Sequence, residues 1–340
     1  MAVNSSDGFD SYAATADLLK RYSQAAAPWT WNATAGRTGG PAIVATSAAS
    51  TGVLRTRSGG SVSSTAMCVA FWFKCSAAPA SNVPFWQSLN AGGGETSGLY
   101  LLTTGVLSLT SAGTFAIFGS TNICDNNWHW LEAKIVPGFG FQQMRIDNVQ
   151  EWNVQYGNGM AGIVGDAHQF VSLANRVLTI DDFFLYDDAT GTPTSSNYPL
   201  GAKQITTARP DGDSAVSFLT ATGGGTHFNQ VNETVADGDT SYVESAVSGD
   251  QDLYDYAAIG VTPSSITAVV ASAFVENPNP GTINFKQICK SNATQTDGSS
   301  ILVPSNYQIV QQPFSLDPNT GAAWANAAAI DAAKFGVKVA

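Results

Sequence analysis

Charge is what this sequence has least of. Asp, Glu, Lys and Arg make up 12% of the 340 residues, about half the share usual in soluble domains. The balance is acidic, with 26 Asp and Glu against 15 Lys and Arg and a net charge of −11. No block of basic residues stands out; Arg55 with Arg57, and Lys286 with Lys290, come nearest. Binding to nucleic acid through phosphate neutralisation is therefore not expected. Long hydrophobic runs are also missing. No stretch of roughly 18 apolar residues offers a membrane span. No basic segment followed by an apolar core opens the chain, so no secretory signal is expected. Hydrophobic residues still make up 44%, enough for substantial cores, and the length suits two domains. Gly, Ala, Ser and Thr take the place of charge on the surface. Such a surface costs little to desolvate and suits extensive contact with neighbouring subunits; a secreted or viral β-protein without special contacts would show the same composition.

The side chains that carry chemistry are equally scarce. There are six glutamates, Glu95, Glu132, Glu151, Glu233, Glu244 and Glu276, and none stands two or four positions from another. A Glu-x-Asp-x-Glu strand, which would place paired carboxylates about 5–5.5 Å apart for glycoside hydrolysis, is absent. Asp181 and Asp182 are adjacent and project to opposite faces of a strand, the wrong arrangement for a joint site. The three histidines, His129, His168 and His227, have no Gly-x-Ser-x-Gly elbow beside them. His129 reads as a packed or hydrogen-bonded core residue, and His168 and His227 as loop residues without catalytic partners. The triglycines Gly92–Gly94 and Gly223–Gly225 lack the following helix and Lys of a phosphate cradle and read as turns. Asp211-Gly212-Asp213 and Asp237-Gly238-Asp239 each offer carboxylates to a hard cation such as calcium. The same tripeptides make plain turns, because Asp bonds back to the backbone and Gly supplies positive φ. Four cysteines occur, Cys68, Cys75, Cys124 and Cys289. Cys68 and Cys75 sit seven positions apart on one strand, on opposite faces and roughly 23 Å apart, so they cannot bond to each other. With no Cys-x-x-Cys pair a zinc site is not expected. The reading is four reduced thiols, mostly buried, no catalytic residues, no cofactor and no metal.

What is present is a succession of short strands. Trp128–Val136 alternates as a half-buried strand does, with His129, Leu131, Ala133 and Ile135 on one face and Trp128, Trp130, Glu132 and Lys134 on the other. Pro137-Gly138 ends it. Met144–Gln150 holds two extended runs around an Asp147-Asn148 turn, the chemistry of a tight hairpin, and Thr179–Asp187 forms a further strand. Earlier runs at Val53–Arg57, Ala66–Lys74, Val83–Ser88, Gly98–Thr103, Val106–Thr110 and Thr114–Gly119 are separated by turn residues, a spacing that argues for a sandwich or barrel. A short helical pattern covers Ala14–Tyr22. Residues 188–201 are polar, Pro-containing and without period, and read as a linker. Residues 202–340 carry their own strands, with Asn277–Gly281 as a hairpin loop and an Ala-rich helix over Ala322–Ala333. The expected fold is all-β: a jelly-roll sandwich over residues 1–187, the linker 188–201, and a smaller β-sandwich domain with a short helix over 202–340.

The Trp-His strand, the Asp-Asn hairpin and the Ile180-Asp181-Asp182-Phe183 strand occur in the order found in the concanavalin A-like, laminin-G-like jelly roll, and the region resembles that family. That fold serves mainly as a binding or packing module. The second half carries RPDGDSAVSF, GGGTHFNQVNE and DGDTSYVES, and ends in FSLDPNTGAAWANAAAIDAAKFGVKV (Phe314–Val339). It resembles the C-terminal part of tailed-bacteriophage virion structural proteins. The resemblance implies a non-enzymatic virion component assembled in the host cytoplasm: a capsid decoration, head-fibre or head–tail associated protein. Its implied partners are copies of itself, a trimer being the common arrangement, and the major capsid or neighbouring virion proteins. The missing export signal suits a protein released by lysis. The alternative is a tail receptor-binding adhesin that recognises a host-surface glycan. For that, the i, i+2 pairs Trp29/Trp31 and Trp128/Trp130 would have to present an open aromatic face.

Overall fold

The computed structural model describes residues 2–46, 51–56, 67–90, 92–111, 114–136, 141–155, 167–187, 198–279 and 281–340. The chain divides into two compact units, residues 1–205 and 206–340. Of the expected linker, 188–197 lies outside the described residues, as do Arg57 and the Pro137-Gly138 turn. Residues 198–205 belong to the first unit, so the division falls four residues beyond the expected boundary. Among the described residues, no helix is long and apolar enough to cross a membrane.

The first unit is a sandwich of two antiparallel sheets. Its described strands are β1 (Ala2–Asp7), β2 (Tyr22–Ala25), β3 (Trp29–Asn32), β4 (Ala42–Ala45), β5 (Val53–Thr56), β6 (Met67–Cys75), β7 (Val83–Leu89), β8 (Glu95–Leu101), β9 (Leu107–Ser111), β10 (Thr114–Phe118), β11 (Trp128–Val136), β12 (Phe141–Ile146), β13 (Val149–Gln155), β14 (Ala167–Val171) and β15 (Leu178–Asp187). One sheet runs β13-β12-β11-β6-β15-β4-β3, with β1 beside the second half of β15; the other runs β10-β9-β8-β7-β14-β5-β2. Period-two alternation sends Phe71 and Phe73 of β6 inward, where they meet Phe85 of the other sheet at 5.5 and 5.3 Å. Phe170 of β14 closes the layer against Phe71 and Phe183, edge-on at 5.1 and 5.3 Å. Each such aromatic contact contributes on the order of 0.5–1.5 kcal/mol beyond area burial.

Two local devices set the register. Asp147 and Asn148 both take positive φ, 51° and 67°, which closes the β12–β13 hairpin with the twist its strands need. In β15 the register shifts between Asp181 and Phe184, and Asp182 sits at φ +48°. This bulge absorbs one residue, so Ile180, Phe183 and Leu185 all keep the inward phase.

Strand β11 departs from the half-buried expectation, because both of its faces are buried. Glu132 is 0% and Lys134 1% exposed. The cause lies after the jelly-roll strands. Residues 198–205 cross the outer face of the first sheet, where the Tyr198 hydroxyl donates to the Glu132 carbonyl at 3.0 Å and the Gly201 amide to its carboxylate at 3.2 Å. Trp72 donates to the Lys203 carbonyl at 2.8 Å. A second aromatic layer forms there, with Trp130 5.5 Å from Trp72 and 6.1 Å from Phe184. The expected helix at Ala14–Tyr22 is a 3-10 turn over Thr15–Lys20; Tyr22 already belongs to β2, where it is buried.

The second unit is built on β16 (Pro210–Ser217), β17 (Thr220–Ala221), β18 (Val243–Glu244), β19 (Gln251–Tyr256), β20 (Val269–Val275), β21 (Asn284–Ser291), β22 (Thr294–Asp297), β23 (Ile301–Leu302), β24 (Gln308–Phe314), β25 (Lys334–Val339) and the helix α1 (Ala327–Asp331). The main sheet runs β16-β19-β25-β21-β22 with β23 beside β21; β17–β18 and β20–β24 are two-stranded ribbons. Cys289, Phe314, Trp324, Ala333 and Phe335 form its core, with Val269 and Ala271 of the ribbon packed against them. Gly336 lets β19 and β25 approach, since a Cβ there would stand 1.8 Å from the Asp252 carbonyl. Asn277–Gly281 is no hairpin loop: it joins β20 to β21, which lie in different sheets. The Ala-rich helix shrinks to α1 because Trp324 turns into the core and donates to the Phe314 carbonyl at 2.8 Å. Asn326 then caps the short helix through the Ala329 amide.

The two units bury apolar side chains very unequally. Among the described residues, 45 buried apolar residues lie in the first unit and 10 in the second. Phe218, Val247, Val261, Leu302 and Leu316 of the second unit are exposed, between 45% and 64%.

Candidate functional site

The most organised polar surface lies on the outer face of the second sheet of the first unit. Cross-strand register sets Arg55 of β5 opposite Gln169 of β14, Gln169 opposite Gln87 of β7, Gln87 opposite Gly98 of β8, and Gly98 opposite Thr110 of β9. Their side chains bond in series. Arg55 Nε donates to Gln169 at 2.9 Å, Gln169 Nε2 to Gln87 at 2.7 Å, and Gln87 Nε2 to Glu95 at 2.5 Å. The Tyr100 and Thr110 hydroxyls donate to the same Glu95 carboxylate at 2.8 and 2.6 Å. Gly98 makes room for this, because a Cβ there would meet Glu95 Oε1 at 2.9 Å. Burial and the neighbouring carboxylate push the Tyr100 phenol up to about 12. The row spans five strands and combines a guanidinium, two amides, a carboxylate and a phenol, a donor and acceptor set suited to hydroxyl groups of a polar ligand. Sequence reading passed over it, because these residues, with Thr110, come from five separate strands and only register unites them.

In the second unit, Ser217, His227 and Asp252 come together. Ser217 and Asp252 are cross-strand partners of β16 and β19, and His227 enters from the loop after the triglycine. His227, expected in a loop without catalytic partners, meets both here. The geometry is nonetheless wrong for a hydrolytic relay. Ser217 Oγ and Asp252 Oδ2 lie 2.8 and 2.7 Å from the same nitrogen, Nδ1, whereas a triad needs Asp on Nδ1 and Ser on Nε2. Asp252 is fully buried and also accepts from the Phe218 and Leu219 amides at 2.7 and 2.9 Å and from Tyr254 at 3.1 Å. That is a structural knot. Asp252→Ala leaves the Leu219 amide and the Tyr254 hydroxyl without this acceptor, while the Phe218 amide keeps the Gln251 carbonyl at 3.1 Å and His227 keeps Ser217. The expected loss is about 3 kcal/mol in the second unit, read as faster hydrogen exchange at the Leu219 amide.

His129 is held on both ring nitrogens, by Asp147 at 2.7 Å and Asp125 at 3.0 Å. Burial lowers its pKa, but the hydrogen bonds to the two carboxylates raise it more. Held on both nitrogens, it fastens the β11 end and has no free nitrogen for acid–base work. His168 is a strand residue of β14, not a loop residue, and is 2% exposed. It stacks on Trp86 at 5.7 Å, and neither ring nitrogen has a partner among the described residues. The two adjacent aspartates are also closer in effect than expected. The bulge brings Asp181 and Asp182 to Arg37: its amide donates to Asp181 at 2.9 Å, and its guanidinium lies 3.9 Å from Asp182 and 4.6 Å over the Trp72 ring. Burial, then repulsion from Asp181, pushes Asp182 up to about 7.

The tryptophan pairs do not form an open platform. Trp29 and Trp130 are buried, Trp31 and Trp128 half-buried, and none of the eight tryptophans is exposed. Asp211-Gly212-Asp213 lies within β16, where Asp213 caps the His227 and Phe228 amides; Asp237 closes a turn onto Ser241. Gly92–Gly94 makes the β7–β8 turn on Asn90. Among the described residues, no three His, Cys, Asp or Glu side chains gather as a metal site.

No protein-family model matches the chain, and no curated protein does. Among solved structures, the binding domain of Paraclostridial Mosquitocidal Protein 1 is similar at 13% identity and TM-score 0.38, covering 48% of this chain and 43% of that one. The cellulose-induced protein Cip1 is similar at 15% identity and TM-score 0.38, covering 53% and 96%. A sialidase is similar at 12% identity and TM-score 0.42, covering 58% of this chain and 19% of its own length. The likeness is one of β-sandwich build and extends to no activity.

Proposed function

We propose that this chain is a non-enzymatic virion structural protein, a capsid decoration, head-fibre or head–tail associated component that works as a homo-oligomer. The observation that carries the reading is the thin core of the second unit. A domain of this size ordinarily hides well over half of its unfolded surface. This one holds 10 buried apolar residues and leaves five large ones exposed. Surface of that kind is stable when other copies cover it. The same unit carries the stretch, Phe314–Val339, that resembles phage virion proteins. Support also comes from the Ser217–His227–Asp252 cluster, whose geometry serves structure and not a relay.

Gold-labelled antibody against the chain, applied to intact purified particles, tests the placement. Label over the head shell is the expected result; particles that carry no label overturn the reading. Label confined to the tail tip favours a second reading, a glycan-binding adhesin. Its site would be the Arg55–Gln169–Gln87–Glu95 row, since neither tryptophan pair is exposed. Gln169→Ala, which cuts that row, would then be the first variant to lose host-cell binding.

A further inference from the structure

We infer that Cys75 and Cys124 are a latent disulfide, an oxidative modification site that closes a covalent staple between the end of β6 and the segment leading into β11. Their sulfurs lie 3.4 Å apart, with the Cys124 thiol donating to Sγ of Cys75. A disulfide bond measures about 2.05 Å, so bonding needs an approach of roughly 1.3 Å. The backbone on both sides of Cys124 is pinned. The Asn126 amide donates to the Cys75 carbonyl at 3.0 Å, and the Ile123 amide to the Gly105 carbonyl at 2.9 Å. Ile123 is fully buried, and the Cys124 amide is held by Asn122 Oδ1 at 2.9 Å. The closeness of the two sulfurs is therefore a product of the fold, although 49 positions separate them.

Access and charge favour the chemistry. Cys75 is buried and Cys124 only partly so, which makes Cys124 the sulfur that a small reagent reaches first. The hydrogen bond from Cys124 to Cys75 lowers the pKa of the Cys75 thiol and raises that of Cys124. The Arg176 guanidinium, anchored by its Nε on the Ala78 carbonyl at 2.7 Å, adds a smaller pull toward the thiolate, the form that attacks. Cys68 and Cys289 are buried and stay thiols. The oxidant is a low-molecular-weight disulfide, RSSR. The Cys124 sulfur, its proton lost, attacks one sulfur of RSSR and releases RS⁻. The Cys75 sulfur, its proton lost, then attacks Cys124 in the mixed disulfide and releases a second RS⁻. The two thiol protons end on two RSH, so two cysteines are oxidised and one RSSR is reduced.

The test uses the full chain incubated with excess oxidised glutathione, quenched with an alkylating reagent and weighed intact. The untreated protein takes four alkyl groups and the oxidised protein two, with one linked peptide pair joining Cys75 to Cys124. Cys124→Ser, at the less buried position, keeps its three remaining thiols under the same treatment. The inference is overturned if four thiols survive oxidation, if a glutathione adduct persists on Cys124, or if the link joins other cysteines or two chains. It also fails if Cys124→Ser still loses a pair of thiols.

Discussion

His168→Leu raises the stability of the first unit by about 1–2 kcal/mol at pH 7 and by a further ~3 kcal/mol at pH 4. The neutral-pH gain comes from removing two ring nitrogens that are buried without partners among the described residues, beside the Trp86 Nε1 and Ser88 Oγ atoms, which have none among them either. Leucine fills nearly the same volume and asks for no hydrogen bond; the lost stack on Trp86 offsets part of the gain. The acid gain comes from linkage. Burial lowers the His168 pKa from 6.5 to about 4. Below pH 6.5 the unfolded chain takes up a proton that the folded chain refuses. This contribution to stability is complete above pH 6.5 and is lost as pH falls toward 4. Urea unfolding of both proteins across pH 4–8 checks it. A variant no more stable than the parent at pH 7 would mean that the ring nitrogens are satisfied.

Asp182→Asn acts at the other end of the pH range. The folded pKa of Asp182 is raised from 3.8 to about 7, so between those values the folded chain holds a proton that the unfolded chain has lost. Stability from this group is full in acid and falls as pH rises, by about 4 kcal/mol between pH 4 and pH 8. Asparagine keeps an oxygen to accept the Ile205 amide, now at 2.7 Å, and tolerates the φ of +48°. It removes the charge that Asp181 opposes. The expected result is a variant several kcal/mol more stable than the parent at pH 8 and equal to it at pH 4. Asp182→Val, by contrast, meets the positive φ with a β-branched side chain and destabilises at every pH. In the parent, His168 and Asp182 work against each other over pH 4–6.5, so its profile is flatter than that of either variant. Equal stability of Asp182→Asn and parent at pH 8 would contradict the buried charge.

Local patterns made much of the first unit legible. Trp128–Val136 and the Asp147-Asn148 turn are strand and turn where the residues alone placed them. Alternation says which residues share a face; it says nothing of what later covers that face. Glu132 therefore reads as a residue of the open face, whereas Tyr198 and Gly201 cross over it. His168 was missed as a strand residue because Ala167–Val171 is short and mixes His and Gln with apolar residues, and only its neighbours β5 and β7 make it a strand. The Ala-rich stretch has strong helix propensity over twelve residues, but Trp324 finds its partners in the core and the helix keeps only Ala327–Asp331. The Arg55–Gln169–Gln87–Glu95 row and the Cys75–Cys124 pair exist only through long-range register, which no local pattern encodes.

The mass of the full chain in solution, measured by light scattering at micromolar concentration, tests most directly whether other copies complete the second unit. One chain weighs 35.4 kDa. The expected result is a stable multiple of that mass, in which Phe218, Val247 and Leu302 resist surface labelling. A monomer of 35.4 kDa, with a second unit that unfolds cooperatively and independently of protein concentration, would contradict it.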